Sequence, residues 1–255
     1  MNEIRDINVD TSRKHNADYF TFGTVNSFDY GIYITGIEIG NTPERDVSFV
    51  KVPGRNGDLM LDNKRWNNIN ITYRCAIATG FASRFDAFKN ALLSQSGYQR
   101  LTDTIYTDVF RLGIVQEPVV PEVRRKNKTG TFDIVLHCKP QRFLISGETV
   151  RTMTGDGTFY NEGSFPSRPI ITIHGNGASW LEVGSTFIDI LELSDHVTID
   201  CETMTAYRQI GNGAVENCNS HIYCTEFPEL LPGENLLFWG SNITSVEIIP
   251  RGWIL

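Results

Sequence analysis

The chain has 255 residues, a net charge of −7 and a pI near 5.3, with 40% hydrophobic and 21% charged residues. That length buries enough surface for one large or two ordinary domains without disulfide or metal staples, and the composition is globular rather than disordered. The acidic balance argues against nucleic-acid recognition, which leaves a basic footprint.

In chain order, Met1 to Asp10 alternates polar and apolar residues and shows no basic start followed by an apolar run, so no secretory signal is visible. No stretch approaches the ~18 consecutive apolar residues that cross a membrane. Period-two alternation, the mark of half-buried strands, begins at Ile32 to Ile34. Val52 to Leu59 then reads as a hairpin tip between two apolar segments, Phe49 to Val52 and Leu59 to Leu61. Pro53-Gly54 is a turn dipeptide, and Asn56-Gly57 predicts a type I′ turn. A strong strand follows at Ile69 to Ile77.

One helix is expected after it. Ser83 serves as N-cap with Asp86 three residues on, Phe85, Phe88 and Leu92 form one apolar face, and Gly97 terminates it. Strands at Phe110 to Ile114 and Phe132 to Leu136 flank a different kind of segment, Gln116 to Gly130. It carries two prolines and then Arg124, Arg125, Lys126 and Lys128. A stretch this long without structure of its own tends to be functional or disordered, so it reads either as a solvated hairpin loop or as an arm reaching a neighbouring subunit. Ser146 to Pro169 is rich in glycine, serine and threonine and marks a domain boundary near residue 145. Further strands are expected at Ile170 to Ile173, Phe187 to Leu193, Val197 to Cys201, Leu236 to Trp239 and Val246 to Ile249. Many short strands between glycine-rich turns predict β-sandwiches or barrels.

A search for chemistry finds little. Cys218, His221 and Cys224 have metal-like spacing, but a structural zinc site needs four ligands. The histidines, His15, His137, His174, His196 and His221, lie in unrelated contexts, and no nucleophile elbow is present. Asp103 with Asp108, or Asp189 with Glu192, could be posed as a glycosidase pair. Acidic residues on strands and turns usually just face water. Trp180, Tyr207, Tyr223, Trp239 and Trp253 could stack on sugar rings, although aromatics in a sandwich are more often core. Cys75, Cys138 and Cys201 read as small buried hydrophobes. The residues alone lead to a mainly β, two-domain protein that acts by assembly or binding, with no catalytic residue, metal or cofactor.

Several strings, taken together, resemble a known family. Phe28-Asp29-Tyr30-Gly31, Val52-Pro53-Gly54-Arg55-Asn56-Gly57-Asp58-Leu59 and Cys138-Lys139-Pro140-Gln141-Arg142-Phe143 are similar to strings of the distal tail (Dit) proteins of long, non-contractile phage tails. So are Asn161-Glu162-Gly163, Ser167-Arg168-Pro169, Phe227-Pro228-Glu229-Leu230 and the terminal Pro250-Arg251-Gly252-Trp253. They occur in order over nearly the full chain, with no room for an inserted carbohydrate-binding module. The resemblance implies an N-terminal ring-forming domain over 1–145, a β-sandwich with one helix and a belt-like arm at about 116–130. A C-terminal galectin-like β-sandwich would follow over 146–255. Six copies would form a ring between the tail tube and the tail-associated lysin or tip protein, which could also hold receptor-binding proteins or a baseplate. It would sit at the virion tail tip after assembly in the host bacterial cytoplasm, with Arg124, Arg125, Lys126 and Lys128 pairing across subunits. A sugar-binding module for host cell walls is the alternative.

Overall fold

The computed structural model describes residues 17–38, 42–124, 126 and 128–255. The N-terminal stretch with His15, and Arg125 of the basic run, lie outside the described residues. The chain divides into two compact units, one containing the described residues up to Gln141 and the other Arg142–Ile254. No helix among the described residues is long and apolar enough to cross a membrane.

Unit 1 contains β1 (Phe20–Phe22), β2 (Val25–Asn26), β3 (Ile32–Glu38), β4 (Arg45–Val50), β5 (Leu59–Trp66) and β6 (Ile69–Ile77), then α1 (Phe81–Leu93), β7 (Gln99–Asp103), β8 (Val109–Val115), β9 (Pro121–Arg124) and β10 (Thr129–Cys138). Its main sheet runs β2-β1-β7-β8-β10-β6-β3. The centre is β6 against β10, paired from Ile69↔Cys138 to Ile77↔Gly130. Strict alternation in both strands explains this register: Ile69, Ile71, Tyr73, Cys75 and Ile77 point inward, and so do Phe132, Ile134, Leu136 and Cys138. The sheet curls strongly, because Phe20 of β1 stacks on Tyr73 of β6 at 4.8 Å although three strands separate them.

Helix α1 fills the concave side. Phe81, Phe85, Phe88 and Leu92 recur at helical spacing and are buried, and Phe85 meets Phe132 edge-on at 4.9 Å. The helix begins two residues before the expected cap. Gly80, at φ 65, turns the chain into it with no side-chain cap, and Ser83 Oγ donates back to the Gly80 carbonyl at 3.3 Å. It stops at Ser94, short of Gly97.

Unit 2 contains β11 (Arg142–Leu144), β12 (Arg151–Met153), β13 (Gly157–Asn161), β14 (Ile170–Asn176), β15 (Ser179–Val183), β16 (Thr186–Ile190), β17 (Ser194–Asp200), β18 (Thr205–Ile210), β19 (Ala214–Asn217), β20 (Ile222–Tyr223), β21 (Gly233–Trp239), β22 (Ile243–Ile249) and β23 (Trp253–Ile254). One sheet runs β12-β22-β14-β17-β18-β19 and a second β13-β21-β15-β16-β20. Inward-facing Ile171, Ile173, Val197, Ile199, Val246 and Ile248 of the first meet Leu181, Val183, Ile188 and Leu237 of the second in one core, which makes this unit a β-sandwich. The glycine-rich Ser146 to Pro169 stretch supplies β12 and β13 of this unit.

The strings of the second half converge at one end of this sandwich. Buried Asn161 donates to the Leu230 carbonyl at 2.9 Å and accepts from the Gly163 amide, while Ser167 Oγ donates to the Pro250 carbonyl at 2.6 Å. Trp253 stacks on Phe165 at 4.5 Å and its indole donates to the Pro166 carbonyl. A Cβ on Gly163 would come within 2.7 Å of the Trp253 backbone nitrogen, so only glycine fits there. Arg251 grips Asp200 through two bonds of 2.7 and 3.0 Å. Burial would raise the Asp200 carboxyl, yet Arg251 and two backbone amides hold it below its ordinary value.

Candidate assembly surfaces

The first candidate surface is the ribbon β4–β5, a two-stranded sheet separate from the main one. Its base is clipped by ions. Arg45 reaches Asp62 at 2.6 Å and Arg65 reaches Asp46 at 2.5 Å, so hydrogen bonds from these guanidinium groups lower both carboxyls. A bulge between these pairs puts Lys64 at φ 56. Toward the tip the ribbon changes character. Phe49 pairs with Met60 on one face, and Ser48 with Leu61 and Val50 with Leu59 on the other. Phe49, Val50, Leu59, Met60 and Leu61 are all exposed. An isolated two-stranded hairpin is marginal in water, and one that is apolar on both faces lacks even a solvated side.

The tip itself differs from the expected type I′ turn. Arg55 N donates to the Val52 carbonyl at 3.2 Å with Gly54 at φ 76, a type II geometry on Pro53-Gly54. Gly57 has φ 80, but Asn56 keeps a negative φ, as type I′ forbids.

The second candidate is the basic run. Pro121–Arg124 does not hang free: it forms β9, antiparallel to the start of β10 from Arg124↔Thr129 to Pro121↔Phe132. Proline opens the strand, where its missing amide does no harm. Arg124, Lys126 and Lys128 are exposed around the turn of this hairpin, and Arg124 is held only loosely by Glu122, at 3.8 Å. In unit 1 the ribbon 45–66 forms a two-stranded sheet of its own.

The third is the outer face of the five-stranded sheet in unit 2, which carries exposed Trp180, Phe187, Tyr223 and Phe238. Of the aromatics singled out by sequence, Trp180 and Tyr223 share this face; Trp239 packs against the core and Trp253 is engaged with Phe165. Tyr207 lies on β18 of the other sheet. The signal for this face was alternation in β15, β16 and β21, but the cross-strand register that assembles it is not written in any single segment.

Several of the groups posed for chemistry are engaged otherwise. Among the described residues no cluster of three His, Cys, Asp or Glu side chains is placed to hold a metal ion. Cys218 is buried and its thiol contacts the Glu216 carbonyl at 3.7 Å. Burial pushes the Cys138 and Cys201 thiols up to about 12, so neither is a thiolate at neutral pH. Asp103 caps a turn, accepting from the Ile105 and Tyr106 amides and from the Tyr73 hydroxyl. An open polar hollow of about 420 Å³ in unit 1 is lined by Asn68, Asn70, Gln116, Glu117, Val135 and His137. There His137 Nδ1 is engaged with Asn70 Oδ1 at 3.0 Å.

No family profile matches the chain, and no curated protein sequence matches it. Its architecture is nevertheless one found in phage tail hubs. The chain superposes on the Dit protein of phage SPP1, described as a paradigm of the hub adsorption apparatus in phages infecting Gram-positive bacteria, with a TM-score of 0.68 and 11% identity over 91% of this chain and 97% of that one. It also matches chains in the activated baseplate of phage p2, in its strontium and calcium forms, each with a TM-score of 0.50 and 10% identity over 91% of this chain and 96% of the other. The fold, mainly β with a single α-helix among the described residues, is thus that of the Dit proteins.

Proposed function

We propose that this chain is a structural hub of a phage tail tip. Six copies close into a ring that joins the tail tube to the tail-associated lysin or tip protein and carries the host-adsorption apparatus, receptor-binding proteins included. It works at the virion tail tip, after assembly in the host cytoplasm, without catalysis or a cofactor. The observation that carries this reading is the ribbon. A hairpin apolar on both faces needs cover from two sides, and a head-to-tail ring offers every copy a neighbour on each side. The likeness in fold to SPP1 Dit over nearly the whole of both chains supports the same reading. Obligate interfaces of this kind bury more than ~2,000 Å², mostly apolar.

Arg124, Arg125, Lys126 and Lys128 are proposed as polar contacts between subunits, which set register more than affinity. The test is co-assembly. Electron micrographs of the purified chain mixed with the tube and tip proteins encoded beside it should show a ring at their junction. A chain that stays apart from both refutes the proposal.

A further inference from the structure

The outer face of the five-stranded sheet is a checkerboard of rings and carboxylates. Register sets Glu182 of β15 between Phe238 of β21 and Phe187 of β16, and Asp189 of β16 between Trp180 of β15 and Tyr223 of β20. Trp180 and Phe187 lie nearly parallel, their centroids 5.8 Å apart. The Trp180 indole lies close over Gly240, where a Cβ would approach its Nε1 to 3.1 Å. Neither Glu182 nor Asp189 has a cationic partner among the described residues. A carboxylate flanked by aromatic faces suits a guanidinium or ammonium group, which the rings attract by cation–π contact and the carboxylate by charge.

The same chain carries a matching surface. Most of its other arginines near carboxylates are held at 3.1 Å or less, as in Arg45–Asp62, Arg151–Glu162, Arg168–Glu229 and Arg208–Glu216. The β9–β10 hairpin is different: among the described residues Arg124 has only its loose ion pair with Glu122, and Lys126 and Lys128 have no acidic partner. Exposed Val120 and Val123 flank these cations. Glu182 and Asp189, diagonal neighbours on adjacent strands, are roughly 7–8 Å apart, and Lys126 and Lys128, two residues apart, can span up to about 7 Å.

We infer that the checkerboard face of one copy receives the basic β9–β10 hairpin of a second copy. The inference rests on the ring reading and names a contact within it: cations on the rings and carboxylates, valines on the remaining aromatic surface. A cell-wall saccharide could donate hydroxyls to the carboxylates and stack on the rings, but it would leave the charge of Glu182 and Asp189 unbalanced, which the hairpin cations neutralise.

The test uses the full chain with a photoreactive benzoylphenylalanine in place of Phe187, mixing isotopically heavy and light copies. The expected result is heavy–light cross-links that map to residues 120–128. Reversing the hairpin (R124E, K126E and K128E together) or the face (E182K with D189K) should weaken self-association about tenfold or more in low salt. A chain carrying both reversals should return to within about threefold of the wild type. Cross-links to other segments, cross-links only within one copy, or reversals that fail to rescue each other overturn the inference. So does a fluorescent wall oligosaccharide that binds the wild type and is lost with Phe187→Ala while no heavy–light link forms. Rings that persist unchanged through every reversal overturn this contact alone, whereas a wild type that never associates, with or without tail partners, overturns the ring reading as well.

Discussion

The ribbon gives the sharpest quantitative expectation. Phe49, Met60 and Leu61 are 62%, 56% and 50% exposed in the single chain. Full burial of such a side chain is worth about 1.5–3 kcal/mol, so covering the exposed remainder of these three in an assembly yields about 2.5–5 kcal/mol per ribbon. Replacing all three with serine should therefore weaken self-association by roughly a hundredfold to a few thousandfold. The same change should leave the melting temperature of the dilute single chain within about 5 °C, because three exposed substitutions at up to ~0.5 kcal/mol each sum to no more than ~1.5 kcal/mol. Sedimentation velocity across a concentration series, alongside thermal unfolding by circular dichroism, separates the two effects. A triple variant that melts many degrees lower while associating normally would show that the ribbon stabilises its own domain, and the reasoning would be wrong.

Further outcomes test the fold and the proposed non-catalytic role. Phe88 is fully buried between Phe20, Tyr30 and Phe132, so Phe88→Ala should cost about 3–5 kcal/mol in chemical denaturation of unit 1; a loss under 1 kcal/mol would contradict the packing. Arg251→Ala removes both bonds to Asp200 and should cost about 2 kcal/mol at pH 7. Asp200 in the folded wild type sits below its ordinary value of 3.8, so the stabilisation is present above that pH and fades as pH falls through the folded value. The two stability curves should converge in acid, and a gap that is constant down to pH 2 would refute the ion pair. Gly175→Ala would drive a Cβ to 2.1 Å from the Asn242 carbonyl oxygen at a bulge in β14, and should lower the yield of folded protein markedly; a normal melt would contradict that geometry. Zymography on peptidoglycan should show no clearing, and clearing abolished by a single carboxylate variant would overturn the non-catalytic reading.

The core was legible wherever one strand alone encodes its face. Ile69 to Ile77 and Phe132 to Leu136 alternate so regularly that both strands and their inward sides follow from period two. The helix was legible in its apolar face but not in its start, because Gly80 enters with a positive φ and offers no capping side chain to read. Prolines and clustered charge make 116–130 look unstructured in the sequence. In the structure Pro121–Arg124 is paired along its length to β10, and the separate element is the ribbon around Pro53-Gly54. Its apolar residues were visible in the sequence, but their exposure was not, since a run such as Leu59–Leu61 suits a core equally well. The checkerboard was illegible for a different reason: residues 180, 182, 187, 189, 223 and 238 come from four strands, and only their register brings them together.

The strings that carried the family resemblance also acquire a physical meaning. Asn161, Gly163, Ser167, Pro250 and Trp253 satisfy one another's backbone and side-chain groups at one end of unit 2. Buried polar groups of this kind cost free energy unless every partner is present, which ties distant segments to one another in residue type. These residues hold the fold together at that end.

The claim that six copies close into a ring is tested most directly by native mass spectrometry of the full chain, alone and with its tube and tip neighbours. The account predicts a closed species of six times the 28.8 kDa chain mass, lost in the ribbon variant. A chain that remains a monomer at every concentration, even with those neighbours present, would contradict it.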